Sequence, residues 1–224
     1  MCSLLPIRKP LLCYVTDRRN FEDPAKTQEE LLLTKIEQAA KAGVDWIQLR
    51  EKDLTGKQLS ELASNAIRRV GGASAILIND RLDVACAVKA AGVHLAENSL
   101  PVSEAKRLVN EGRTEENFLV GASVHSLETA LQAEQAGASY VIFGPVFATP
   151  SKAGFGPPQG LEGLRKVCVE LKIPVLAIGG ITVENAGDCL SAGARGIAAI
   201  RLFQEATDLP SLVKGLRRDA WESS

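Results

Sequence analysis

Apolar residues along the chain fall into short continuous runs, separated by longer stretches in which they recur every three or four positions. The runs are Leu11 to Val15, Trp46-Ile47, Ala75 to Ile78, Leu95, Phe118 to Val120, Tyr140 to Ile142, Ile173 to Ile178 and Ile197 to Ile200. Runs this short and aliphatic predict strands buried on both faces. The amphipathic stretches between them predict helices: Leu31 to Lys41, Gln58 to Val70, Val102 to Val109, Leu127 to Ala136, Leu161 to Leu171 and Val183 to Leu190, with Leu202 to Leu216 closing the chain.

One phrase recurs four times at the change from helical to strand spacing. It is Ala42-Gly43-Val44, Ala91-Gly92-Val93, Ala136-Gly137-Ala138 and Ala192-Gly193-Ala194, each just before an apolar run. Glycine past a helix end supplies a left-handed cap, and small neighbours allow helix and strand to pack closely. Strict strand–helix alternation implies parallel strands with right-handed crossovers. Eight such units in 224 residues predict an α/β fold, a single (β/α)8 TIM barrel, with an open doubly wound sheet as the alternative. The barrel is expected to occupy 1–224 as one domain, with about ten residues at the start and about six at the end peripheral to it.

Composition narrows the partners. With 26 Lys+Arg against 27 Asp+Glu, the net charge of −1 offers no broad basic field for nucleic acid, and 4% aromatic residues make base-stacking platforms improbable. No apolar run approaches the roughly 20 residues of a membrane helix. The start, Met1 to Pro10, has a short apolar stretch broken by Pro6 and followed by Arg8 and Lys9, so the chain reads as cytoplasmic. Five cysteines, widely spaced and without a C-x-x-C pair, indicate reduced thiols rather than disulfides or zinc. Scarce aromatics leave the barrel interior to aliphatic layers.

The functional face of such a barrel lies at the carboxyl ends of the strands. There the chain turns polar: Thr16-Asp17-Arg18, then Gln48 through Lys52, Asn79-Asp80-Arg81, Glu97-Asn98-Ser99, Ser123 through Ser126, Gly144 through Lys152, Gly179-Gly180 and Arg201. Gln48, Arg50 and Lys52 alternate along an extended segment, which points them to one side and suits an anion. A salt bridge of Arg50 with Glu51 or Asp53 would be the plain alternative. Gly179-Gly180 before a helix near Val183 suits a phosphate cradle, or else a tight turn requiring positive φ. Asp80 could hold Mg²⁺ against a diphosphate, pair with Arg81, or cap the next helix. His125 could exchange protons near neutral pH or simply hydrogen-bond locally beside Ser123 and Ser126, and His94 reads as core or supporting shell. The segment Thr149 to Gln159 reads as a cover carrying Lys152 to a ligand, or as a solvated loop.

Taken in order, these segments resemble the thiamine phosphate synthase family and its relatives the thiazole tautomerases, over Leu11 to Phe203. The resemblance rests on Gln48-Leu49-Arg50-Glu51-Lys52, Ile78-Asn79-Asp80-Arg81, Gly121-Ala122-Ser123-Val124-His125-Ser126, Gly144-Pro145-Val146-Phe147 with Lys152, and Ala177-Ile178-Gly179-Gly180-Ile181. It implies a (β/α)8 barrel and a reaction in which an aminopyrimidine diphosphate loses pyrophosphate and a thiazole phosphate nitrogen attacks the resulting methylene cation. It also implies that Gln48 and Asn79 meet the pyrimidine, that Arg50, Lys52, Ser123 and Lys152 meet the diphosphate, and that Asp80 binds magnesium. Gly179 and Gly180 would take the thiazole phosphate. Thr149 and Arg201 complete the expected substrate contacts, and a homodimer is left open.

Two positions depart from the family pattern. Ser99 stands where synthases usually carry a second metal-binding Asp, with Glu97 nearby, and Arg201 stands where serine is usual near the thiazole phosphate, where it could strengthen phosphate binding or occlude it. Loss of that Asp is typical of the tautomerases, in which a histidine matching His125 is implied as the acid–base group and no metal is needed. The sequence therefore carries three functional readings: synthase first, thiazole tautomerase second, and a non-catalytic thiamin-pathway binding protein third.

Overall fold

The structure is a computed structural model that describes residues 9–112, 117–149 and 157–222, with side chains as far as Arg217. Eight parallel strands close into a barrel in sequence order: β1 Leu11–Val15, β2 Trp46–Leu49, β3 Ala75–Asn79, β4 Gly92–Leu95, β5 Leu119–Val124, β6 Tyr140–Phe143, β7 Val175–Ile178 and β8 Gly196–Ala199. β1 pairs with β8, which removes every sheet edge. The helices are α1 Gln28–Ala42, α2 Gly56–Val70, α3 Leu82–Ala87, α4 Val102–Glu111, α5 Leu127–Gln135, α6 Gly160–Glu170, α7 Val183–Ser191, α8 Arg201–Gln204 and α9 Leu209–Glu222. Among the described residues none is long and apolar enough to cross a membrane.

The starts of α1, α2 and α5 are fixed by reciprocal caps. Thr27, Thr55 and Ser126 accept from the third helical N–H, while Glu30, Gln58 and Thr129 reach back. Gly43, Gly137 and Gly193 adopt positive φ where their helices end, as the repeated phrase predicts. Gly92 does not. Helix α3 stops at Ala87, Lys89 takes the left-handed conformation (φ 53°), and Gly92 is already a strand residue. It is glycine for another reason: a Cβ there would lie 2.3 Å from Leu119 O of the neighbouring strand.

Two cores result from strand alternation. The larger joins the outward strand faces to the helices, with Tyr14 against Phe203 at 6.1 Å between ring centroids. The smaller fills the barrel with Cys13, Val15, Leu77, Tyr140, Ile142, Leu176 and Ala198, closed by Trp46 and Ile178. The expected purely aliphatic interior is thus corrected: Trp46 and Tyr140 pack at 4.7 Å and His94 stacks on Tyr140 at 5.6 Å. Gly121 makes room for the Tyr140 ring, whose Cζ stands 2.1 Å from where a Cβ would be.

The closing stretch Leu202 to Leu216 is two helices, not one. Pro210 lacks an N–H and clashes with a preceding turn, so a helix restarts with it in the first turn, where Asp208 Oδ1 accepts from Ser211 N–H at 3.0 Å. Arg201 accordingly opens α8 instead of ending β8.

Candidate active site

Strand register gathers the inward residues of neighbouring strands at the carboxyl end of the barrel: Val15 opposite Gln48, Asn79 opposite His94, and Ser123 opposite Ile142. β5 runs to Val124, so Ser123, past the end of the apolar run, is still a strand residue facing the interior.

At the β1–β2 corner Arg18 takes both neighbouring acids. Its Nη1 lies 3.1 Å from Glu51 Oε2 and 2.8 Å from Asp53 Oδ1, and Nη2 donates to Asp53 Oδ2 at 2.8 Å. Glu51, 4% exposed, also accepts from Thr16 Oγ1 at 2.5 Å, and Thr16 Oγ1 accepts the Arg50 N–H at 3.1 Å. This double engagement holds the Asp53 carboxyl down at about 2 through its bonds to Arg18. The salt bridge weighed for Arg50 is therefore not formed: among the described residues neither Arg50 nor Lys52 has an acidic partner, and the half-buried Arg50 guanidinium stays uncommitted. Lys52 sits in the turn closed by Leu54 N–H on Glu51 O, past the end of β2, so strand alternation stops at Arg50 and does not govern it.

Across β2 and β3 runs a chain of amides. Gln48 Nε2 donates to Asn79 Oδ1 at 3.0 Å, Asn79 Nδ2 donates to Asp80 Oδ2 at 2.9 Å, and Ala96 N–H donates to Asp80 Oδ1 at 2.7 Å. Gln48 is 3% exposed, and among the described residues its Oε1 has no partner. Asp80 neither pairs with Arg81, which turns to Asp83 at 2.6 Å, nor caps α3. It sits at φ 59°, in a left-handed conformation that Asp tolerates better than most residues.

His94 lies beneath this layer, bonded at Nδ1 to Tyr140 OH (3.1 Å) and at Nε2 to Ser123 Oγ (2.9 Å). Burial pushes its pKa down to about 4 against the opposing pull of Asp80, so the ring is neutral at pH 7 and has one N–H. Among the described residues the Tyr140 hydroxyl meets only His94, and when it donates to Nδ1 the ring proton stands on Nε2, facing Ser123. Ser123 Oγ then accepts from His94 and keeps its own proton to donate into the mouth. An unfolded histidine titrates near 6.5, so between about pH 6.5 and 4 the unfolded chain takes up a proton that the folded chain refuses. Stability should therefore fall with pH across that window, by about 3 kcal/mol for this group, and no further below it. Urea unfolding at pH 7, 5.5 and 4 should show the wild type losing about that much more than His94→Asn; parallel losses would reject the assignment.

The His125 ring makes local contacts beside Ser123 and Ser126. Nδ1 meets Gly144 O, and Nε2 lies 3.7 Å from Glu97 Oε2. Gly179 (φ 100°) and Gly180 (φ 64°) do form the tight turn, pressed against the β6 loop: a Cβ at Gly180 would lie 2.6 Å from Ala148 O. Their carbonyls accept from Phe147 N–H and Asn185 Nδ2, both at 3.0 Å. Arg201 is exposed at the start of α8. Thr149 is half-buried, and Lys152 lies outside the described residues. Gln159 N–H and Gly160 N–H donate to Pro145 O and Val146 O.

Sequence reasoning found the strand-end residues but not the partnerships of Arg18, Glu51 and Tyr140. Only Thr16-Asp17-Arg18 at the end of the first apolar run hinted at the first of these.

A family model described as thiamine monophosphate synthase matches residues 12–203. The chain is 44% identical over 181 residues to a thiamine-phosphate synthase of Methanoculleus marisnigri, covering 80% of this chain and 83% of that one. It is 38% identical over 214 residues to one of Syntrophomonas wolfei, with 94% and 96% covered. Among solved structures, thiamine phosphate pyrophosphorylase from Pyrococcus furiosus superposes with a TM-score of 0.80 at 34% identity, over 97% of this chain and 98% of that one.

Proposed function

The chain belongs to the thiamine monophosphate synthase family and is a thiamine-phosphate synthase-type transferase of thiamin biosynthesis, and from that premise we propose how its barrel mouth performs the reaction. It binds an aminopyrimidine diphosphate and a thiazole phosphate and joins them, releasing pyrophosphate. The observation that carries this reading is the orphaned acceptor Gln48 Oε1. A buried acceptor without a partner costs about 1–3 kcal/mol, and the exocyclic amino group of a pyrimidine is a donor that would relieve it.

The diphosphate ester then extends toward the free guanidinium of Arg50, with Lys52 and Lys152 as further cations. As the carbon–oxygen bond breaks, negative charge grows on the departing diphosphate. Arg50 meets it with a planar fork and Ser123 with the hydroxyl proton that His94 leaves free, donors already in place before charge develops. Gly179, Gly180 and Arg201 hold the phosphate of the thiazole, whose ring nitrogen supplies the new bond. No proton transfer by His125 is required.

The donor set at the mouth suits magnesium. Each Asp80 oxygen accepts one hydrogen bond and retains lone pairs, and Mg²⁺ is commonly bound by one or two carboxylates with substrate phosphates and water. Among the described residues no cluster of three or more His, Cys, Asp and Glu side chains is arranged for a metal, which fits an ion shared with the diphosphate. Asp80 would hold it, and the ion, when bound, supplies neutralisation of the leaving group. The free thiols Cys13, Cys86, Cys168 and Cys189 suit the reducing cytoplasm.

Purified protein given both substrates and Mg²⁺ should form thiamine phosphate and pyrophosphate in equal amounts, and a chelator should suppress both. No product above an enzyme-free control would overturn the reading. Isomerisation of a thiazole carboxylate phosphate in its place would move the chain to the tautomerases.

A further inference from the structure

The amide groups of Gln48 and Asn79 could each be turned either way, but the hydrogen-bond chemistry leaves them one choice. An ionised carboxylate has no proton to give. Asp80 is such an acceptor, with Oδ1 already receiving the Ala96 N–H and Oδ2 facing Asn79. Asn79 must therefore turn its Nδ2 toward Asp80, since its carbonyl there would set oxygen against oxygen. Its Oδ1 is then committed toward β2, where only the Nε2 side of Gln48 can meet it, at 3.0 Å. What remains at the end of the relay is Gln48 Oε1, buried and unpartnered.

We infer that Asp80, acting through Asn79, fixes Gln48 as a hydrogen-bond acceptor and so makes the pocket select a pyrimidine with an exocyclic amino group over the pyrimidine with an oxo group there. This rests on the proposed pyrimidine site and adds to it a specificity role for a residue otherwise assigned to the metal. An amino group donates to Oε1, whereas an oxo group brings a second acceptor against it. In a buried site such a mismatch leaves both oxygens unsatisfied. The polarity of the pocket is thus set two side chains away from the ligand.

Asp80→Asn separates this role from the metal, provided the probe has no phosphate. Asparagine tolerates the φ of 59° at this position and can still accept from Ala96 N–H. Its own NH₂ then calls for an acceptor from Asn79, both amides reverse, and Gln48 presents Nε2. The experiment is calorimetric or NMR titration, in chelator, with 4-amino-2-methyl-5-hydroxymethylpyrimidine and its 4-oxo counterpart. Wild type should prefer the amino compound by about 100-fold. In Asp80→Asn that preference should shrink to within about threefold or invert. Asn79→Leu, which cuts the relay while keeping the Asp80 side chain in place, should also lose it, and circular dichroism identifies whichever variant retains the fold.

Retention of the wild-type preference in a folded variant overturns the inference and leaves the pyrimidine reading standing. Failure of the wild type to bind the amino compound saturably overturns the pyrimidine reading, and the inference with it.

Discussion

Replacing Arg50 with alanine should lower kcat/KM for thiamine phosphate formation by about 100- to 1,000-fold while leaving the fold intact. The two halves of this expectation have separate causes. Arg50 is held by its backbone, through the N–H to Thr16 Oγ1 at 3.1 Å, and among the described residues its guanidinium serves no ion pair whose loss would be felt in stability. Urea unfolding should therefore change by no more than about 0.5 kcal/mol. Catalysis loses a charged donor aimed where the diphosphate departs, in a site where Arg18 has already absorbed Glu51 and Asp53. Arg50→Lys keeps the charge but not the fork, and should recover part of the loss. Activity of Arg50→Ala within threefold of wild type would show that the diphosphate lies elsewhere.

That a guanidinium stands free at this corner could not be read along the chain. The sequence places Arg50 next to Glu51 and three positions before Asp53, which argues equally for a local salt bridge. The arbiter is Arg18, 33 and 35 positions earlier, brought alongside by the pairing of β1 with β2. What was legible was everything set by short-range pattern: the eight strands, their parallel order, and the polar residues at their ends. Gly92 shows the limit of such patterns. Its phrase matches the other three junctions, yet its glycine answers to a neighbouring strand instead of to a helix end. Ser123 falls beyond the apolar run, which fades before Gly121, although β5 continues to Val124. Small and polar residues inside a barrel conceal a strand from a hydrophobic reading, and they do so where the chemistry is.

Gly121→Ala should strongly destabilise the barrel. The added carbon would stand 2.1 Å from Tyr140 Cζ and 2.5 Å from its hydroxyl oxygen. Neither side yields easily. Gly121 is strand backbone paired with His94 and Tyr140, and the Tyr140 ring is wedged against Trp46 at 4.7 Å with no exposed surface. Overpacking of this kind costs about 1–3 kcal/mol, and displacing the ring would strand the buried hydroxyl and His94 Nδ1 for about 1–3 kcal/mol more. Unfolding in urea should register a loss of about 2–6 kcal/mol on those two terms. Gly121→Ala/Tyr140→Leu should recover much of that stability, because the smaller side chain yields the space. It should not recover full turnover. Without the tyrosine hydroxyl, nothing holds the His94 proton on Nε2, and Ser123 is free to spend its own proton on the imidazole instead of the departing diphosphate. A double variant that regained both stability and rate would show that Tyr140 only fills volume; one that regained stability alone would tie the packing of the barrel floor to the direction of a single hydroxyl at its mouth.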